Sequence, residues 1–586
     1  MSTSFDLGDE EAGMKVLEDL TKNVKQMQDN ILQDILTCNA NTEYLRGFLK
    51  GRTDKDLFKK NVPVVNYKDV RPHIERVANG EPCDVISSRP ITQFLLSSGT
   101  SGGVQKMMPC NDKLSANFAF TNDMRMLVTS REVDGAENGK GMMFFFIKPE
   151  IKTPCGLPAR AATTSYLKSD HFKNRPSNWY YSYTSPDDVI LCPDNKQSLY
   201  CHLLCGLVQR DEVVRVGSFY ASVVVRAIKF LEDFWTELCS NIRLGQISDW
   251  ITDLDCKKSV YPILGGPRPE LADEIEQICS QKSSWEGILT RLWPKTKYIE
   301  TIITGSMAQY VPTLKFYSND DMPLVSTVYG SSETIFGINL DPLCKPEDVS
   351  YMLMPNMLHY EFKPMDGNLA DDEKIVDLAD VKLGCSYEPL ITTSSGLYRL
   401  RVGDVLNVTG FRNDAPLFRF VRRENVVLSV DMEKTNEEEL FNAVNKAKPL
   451  LESLGLMLID FASYAETSAI PGHYVLYWEL GGKNKEGKPP IDPKVLEECC
   501  FAVEESLGDV YKRCRSKDRS AGALEIRVVL NGAFDSLMDF FVSQGASIGQ
   551  YKTPRCIKCA KALEVMEKRV VARFFSKKCP SYELRL

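Results

Sequence analysis

The stretch FLLSSGTSGGVQKMMP, residues 94–109, reads as an apolar strand, FLL (94–96), running into a loop of small and hydroxyl residues, Ser97-Ser98-Gly99-Thr100-Ser101-Gly102-Gly103, with Lys106 just beyond. Glycines let backbone N–H groups converge on an anion, and hydroxyls add donors. A lysine supplies a point charge for phosphate. The spacing is neither the GxxxxGK[ST] phosphate loop nor the GxGxxG dinucleotide fingerprint. The competing reading is a solvent-exposed flexible turn. A buried strand on one side and Lys-Met-Met-Pro on the other argue against an ordinary linker.

Working outward, short apolar runs alternate with helical periodicity. Upstream, Val16, Leu17, Leu20, Val24, Met27, Ile31 and Ile35 recur at three- and four-residue steps, which predicts an amphipathic packing helix. Downstream, MMFFFI (142–147) and DVILC (188–192) read as buried strands, and ASVVVRAIKFLEDFWTEL (221–238) as a long helix. YIETIITG (298–305) and LVSTVYG (324–330) read as strands entering glycine turns. Strands alternating with helices predict an α/β architecture. The acidic loop DGNLADDE (366–373) and the Gly/Lys/Pro-rich GGKNKEGKPP (481–490) read as flexible punctuation. In FRFVRRENVVLSVDMEKTNEEEL (418–440) a strand passes through a charged turn into a helix. This places a domain boundary there: a large N-terminal domain over 1–428 and a smaller α/β cap over 429–586.

Three further segments carry chemistry. In LVSTVYGSSET (324–334) a strand ends in Tyr329-Gly330-Ser331-Ser332, then Glu333. An aromatic at a strand end can stack on a base, and a carboxylate can hold Mg²⁺, which prefers oxygen ligands and substrate phosphates. In GLYRLRVGDVLNVTGF (396–411), Asp404 follows Gly403, and a fixed carboxylate there can accept both hydroxyls of a ribose. SIGQYKTPRCI (547–557) is a loop presenting Lys552. Each also reads as an ordinary turn or hairpin, or a solvated cation, when taken alone.

Composition narrows the class. Seventy-one basic and 79 acidic residues leave a net charge of −8, which gives no electrostatic reason to expect nucleic-acid binding. The 18 cysteines are scattered, as in a reducing compartment, and neither Cys201-His202-xx-Cys205 nor Cys556-xx-Cys559 has a matching second pair at zinc-finger spacing. The first residues carry no secretory pattern and no run is long enough to span a membrane, so the expectation is a cytoplasmic protein with no membrane partner.

The segments in their order resemble the adenylate-forming superfamily, which includes acyl-CoA synthetases and luciferases. SSGTSGG (97–103), YGSSE (329–333), YRLRVGD (398–404) and QYKTPR (550–555) resemble more closely the plant acyl-acid amido synthetases, the auxin-responsive Gretchen Hagen family. NRPSNWYYSYTSP (174–186) and LGGPRPELAD (264–273) carry the resemblance nearly end to end, nearest the branch that couples benzoate- or isochorismate-type acids to glutamate. The resemblance implies a luciferase-like fold of mixed sheets and helices with a β-barrel-like part and a mobile C-terminal cap. It implies a monomeric ligase that uses ATP and Mg²⁺ to adenylate a small acid of benzoate, chorismate or auxin type, then passes the acyl group to an amino acid. Hormone homeostasis and defence are the implied settings. Acyl transfer to coenzyme A and a non-catalytic adenylate-binding regulator are the alternatives. By the same resemblance, Ser97, Ser98, Thr100 and Ser101 contact phosphate. Thr304, Tyr329, Gly330, Ser331 and Ser332 line the nucleotide. Glu333 holds the metal, Asp404 takes the ribose, and Lys434 and Lys552 reach in from the C-terminal side. Glu333 and Lys552 are the catalytic pair. Arg125 faces the acid's carboxylate or forms a helix-surface salt bridge, and Thr163, Phe219 and Tyr220 line the acyl pocket or belong to the core.

Overall fold

The computed structural model describes residues 9–583 apart from 102–103, 149, 281–284, 321, 366–374, 424–427, 453–455, 483–491 and 544–552; the side chains at 98–101, 104–105, 306, 309, 452, 457 and 542 are also outside the description. The chain divides into two compact units, residues 1–97 with 107–424, and residues 98–106 with 425–586.

At the centre of the larger unit lies a parallel sheet in the order Lys140–Met143, Val213–Tyr220, Tyr298–Ile302, Leu324–Val325. Its strands are buried almost continuously, as a parallel sheet covered on both faces requires. The helix Ala221–Leu244 follows the second strand directly and ends at Gly245. Gly245 has φ +65°, and a Cβ there would lie 2.4 Å from the Gly266 carbonyl carbon, so only glycine fits the cap. A nine-stranded antiparallel sheet occupies the place of the barrel-like part. Its path runs from Val376–Asp377 through His359–Pro364, Ser386–Thr392, Asp404–Arg412 and Ala415–Arg423 to Val328–Gly330, with Leu400–Arg401 paired off the path. A third sheet pairs the hairpin Gln93–Ser101/Val104–Cys110 with Pro158–Ala161 and Ile151–Lys152. The smaller unit has its own sheet, Leu456–Glu466, His473–Gly482, Glu525–Val529 and Val570–Phe575, with a core of Leu440, Val444, Tyr474, Trp478, Leu496 and Val503. Among the described residues no helix is long and apolar enough to cross a membrane.

Four local expectations change. The N-terminal helix is two, Glu10–Lys22 and Val24–Asn39, broken at Asn23 (φ −131°, ψ 39°), a residue type whose side chain competes for backbone groups. DVILC lies mostly in a helix, Asp187–Ile190: Pro186 precedes it, and Asp187 and Asp188 sit where a helix N-terminus favours negative charge. Of MMFFFI only Met142 and Met143 belong to the strand; Phe144 N–H still donates to the Gly217 carbonyl, and Phe145 and Ile147 stay buried beyond the strand, so burial kept the end of the run apolar. The segment after FLL is not a loop at its start, because strand geometry continues to Ser101.

Candidate functional site

The nine-stranded sheet brings Tyr329 and Asp404 together. Gly403 (φ +80°) takes a left-handed conformation that turns the chain into the strand Asp404–Arg412. Strand register then sets Asp404 directly opposite Arg423. The Tyr329 hydroxyl donates to Asp404 Oδ2 at 2.7 Å. Arg423 Nη1 lies 3.2 Å from Asp404 Oδ1, an ion pair by distance, yet Oδ1 is buried and accepts no hydrogen bond among the described residues. Burial lowers the Arg423 guanidinium, but Asp404, Glu333 and Tyr329 more than offset this, and its pKa is raised. Burial, then the Asp404 charge, pushes the Tyr329 phenol well above its ordinary value.

Aromatic rings enclose this pair: Phe336, Tyr351 and Phe420 lie 5.1, 5.8 and 6.5 Å from the Tyr329 ring. The Thr304 and Ser326 hydroxyls meet the Tyr351 hydroxyl at 3.2 and 2.9 Å. At Gly330 a Cβ would sit 3.1 Å from Ile335 Cα and 3.2 Å from the Thr334 carbonyl, so a small residue is favoured at this turn. Ser331 and Ser332 both donate to Glu333 Oε2, at 2.5 and 3.2 Å, and hold a carboxylate that is 3% exposed. A buried carboxylate oriented by two hydroxyls suits an oxygen-seeking cation, and an Asp404 oxygen that accepts no hydrogen bond among the described residues suits a vicinal diol.

Arg125, on the helix Asp112–Glu132, forms a buried ion pair with Glu300 of the strand Tyr298–Ile302, the side chains being 12% and 8% exposed. It also donates to Thr327 Oγ1 at 3.3 Å and twice to Asn122 Oδ1, at 3.0 and 2.7 Å. The surface salt bridge weighed from the sequence is therefore not what forms. Phe219 stacks on Phe145 at 4.7 Å and meets Tyr166 edge-on at 6.4 Å. Thr163 is half-buried in the helix Ala162–Leu167, and Tyr220, also half-buried, is the cap before Ala221–Leu244. A groove of about 670 Å³, within the range of small-molecule sites, runs beside Arg175, Trp179, Tyr181 and Tyr183.

Thr304, Tyr329, Gly330, Ser331, Ser332, Glu333 and Asp404 thus belong to one neighbourhood. Ser97 is buried within its strand. The side chains of Ser98, Thr100 and Ser101, and all of Lys552, lie outside the described residues. Lys434 belongs to the smaller unit, beside the bridge between Leu428 and Thr435. Sequence reasoning missed Arg423, Tyr351 and Glu300. Pairing the RVGD strand with FRFVRR as a hairpin would have found the first. The other two carry no local signal.

Residues 13–324, 351–423 and 438–561 match the N-terminal, central and C-terminal domains of the GH3 family. The chain is 65% identical over 580 residues to the 4-substituted benzoates-glutamate ligase GH3.12 of Arabidopsis thaliana, covering 98% of this chain and all of that one. It is 55% identical over 605 residues to the indole-3-acetic acid-amido synthetase GH3.17 of Arabidopsis thaliana, covering 100% and 99%. The solved structure of the AtGH3.15 acyl acid amido synthetase in complex with 2,4-DB superposes with a TM-score of 0.70, 52% identity and full coverage of both chains.

Proposed function

Because the chain belongs to the GH3 family and is an acyl acid amido synthetase, a ligase joining a carboxylic acid to an amino acid, we propose that its acid is a 4-substituted benzoate, its acceptor glutamate and its energy source ATP with Mg²⁺. The choice of acid and acceptor rests on the 65% identity to a ligase of that name, ten points above the auxin-type relative.

A carboxylate is a poor electrophile. In the proposed first step an acid oxygen bonds to the α-phosphorus of ATP and pyrophosphate leaves. In the second, the amino nitrogen bonds to the acyl carbon, AMP leaves with the former acid oxygen, and the nitrogen sheds a proton. The protein's task is placement and charge stabilisation. Asp404 receives the ribose: Oδ1, which faces Arg423 but accepts no hydrogen bond among the described residues, takes one hydroxyl while Tyr329 holds Oδ2. Tyr329 and its aromatic neighbours wall the adenosine, and Thr304 lies at the α-phosphate. Ser331 and Ser332 orient Glu333 for Mg²⁺, which supplies charge neutralisation at the phosphates. Ser97, Ser98, Thr100 and Ser101 contact phosphate. Lys434 and Lys552 act from a mobile cap over 429–586. Arg125 meets the acid beside Thr163, Phe219 and Tyr220. The protein acts as a cytoplasmic monomer, in hormone homeostasis or defence.

The Asp404 carboxylate, held by Tyr329 on one oxygen and accepting no hydrogen bond among the described residues on the other, is the observation that carries the nucleotide assignment. A matrix of acids against the twenty amino acids, read by pyrophosphate and AMP release, tests the whole. The expected maximum is a 4-substituted benzoate with glutamate. An indole acid outperforming every benzoate, or coenzyme A outperforming every amino acid, would overturn it.

A further inference from the structure

Arg215 and Glu300 share a face of the parallel sheet, and Arg125, from the helix Asp112–Glu132, meets Glu300 there. Arg215 pairs with Tyr298, and Gly217 with Glu300, in parallel register. Residues two apart on a strand lie on the same face, so Arg215 and Glu300 are diagonal neighbours. Arg215 is 2% exposed. Its Nη2 donates to the Tyr180 carbonyl and the Tyr298 side chain also interacts with the guanidinium, while Nε and Nη1 are buried with no further hydrogen bond among the described residues. Its guanidinium carbon lies 5.7 Å from the centre of the Tyr183 ring, a residue that also lines the groove. The room for it comes from Gly141, where a Cβ would fall 2.4 Å from Arg215 Nε. Glu300, through Oε1, is hydrogen-bonded to Arg125 and acts electrostatically on Arg215 as well. Other charges nearby are occupied: Arg175 pairs with Asp187, and Asp123 accepts the Tyr181 hydroxyl at 2.5 Å with His171 3.7 Å away.

We propose that Glu300 is a positioning residue that sets specificity in the acid site: shared between Arg125 and Arg215, it orients the first and offsets one of two buried positive charges, so that the site accepts one carboxylate and discriminates against a second. A buried cation without a counter-ion is costly, and an arriving anion relieves that cost. With Glu300 present one such charge is left to the acid. Without it two are left, and a dianion becomes the better ligand. The inference rests on the acid-site reading of Arg125 given above and extends it to Arg215 and Glu300, neither of which the sequence singled out as a site residue.

The test compares 4-aminobenzoate with terephthalate, benzoates of similar shape that differ by one negative charge. Their binding to the full-length protein is measured by calorimetry, with ATP-dependent pyrophosphate release in parallel. Glu300→Gln should raise affinity for terephthalate relative to 4-aminobenzoate by about tenfold, the order for one charge several ångströms away in a partly buried site. Glu300→Asp should restore the parent ratio, and Arg215→Gln should shift it the opposite way. A ratio unchanged in Glu300→Gln, or shifted equally in Glu300→Asp, overturns the proposal. So does a loss of binding that is the same for both acids and follows a fall in melting temperature, which is what a merely structural residue would give. A parent enzyme that binds both acids but releases no pyrophosphate defeats the functional reading, while the binding ratio still decides this one.

Discussion

Asp404 shows how much one residue's role depends on its partners. Its carboxylate has a tyrosine on one oxygen and, among the described residues, a cation but no hydrogen bond on the other. Asp404→Ala is therefore expected to weaken ATP use by about 1–3 kcal/mol, the scale of an unmade polar contact in a buried site, with little change in the acid's KM. Arg125→Ala should do the reverse. Steady-state kinetics with each substrate varied in turn separate the two, and equal losses for ATP and acid in both variants would mean the subsites are misassigned. A second residue-scale prediction concerns stability. Arg399 and Glu361 form a buried two-bonded pair, 2.9 Å at each bond, with side chains 7% and 2% exposed. Glu361→Ala strands the guanidinium and should cost about 3–5 kcal/mol in denaturant unfolding. Asp404 was legible because a glycine precedes it within a recognisable run. Arg399 lies in the same run, but its buried partner 38 positions away left no local trace.

Elements were legible where periodicity was long. The helix Ala221–Leu244 follows from its apolar spacing, and Gly245 ends it as a left-handed cap should. Short apolar runs were not, because four or five such residues suit a strand, a helical turn or a buried loop equally; DVILC became the helix Asp187–Ile190. Close packing of elements leads to a further prediction. At Gly217 a Cβ would fall 2.2 Å from the Glu300 carbonyl oxygen and 3.0 Å from Met143 Cε. Backbone cannot yield as a side chain can, so Gly217→Ala should force the two central parallel strands apart. The expected loss is at least the roughly 1–3 kcal/mol typical of overpacking, read as a lower melting temperature.

At the scale of the whole molecule, the chain comprises two units with separate cores. Glu433 lies at the start of the smaller one, fully buried, accepting from the backbone N–H groups of Val430 and Asp431 and from the Tyr474 hydroxyl. Burial first, then the Asp431 charge, pushes its carboxyl up to about 7. An acid whose pKa is raised on folding binds more protons in the native state, so its contribution favours folding at low pH. That contribution is lost as pH rises from about 4.5 to about 7. Thermal unfolding followed by calorimetry should show the slope over that window, and Glu433→Gln should flatten it. A slope identical in parent and variant would assign the titration elsewhere.

The sequence alone determined the α/β class, the order of the polar segments and the family, because periodicity and glycine turns act over a few residues and leave a linear record. Only the tertiary structure decided which charges meet. Arg125 and Glu300 are 175 positions apart, and strand register alone sets Asp404 against Arg423. Pairing across strands depends on how the chain is laid side by side, and one residue of slip would turn Glu300, Asp404 or Arg423 to the opposite face of its sheet.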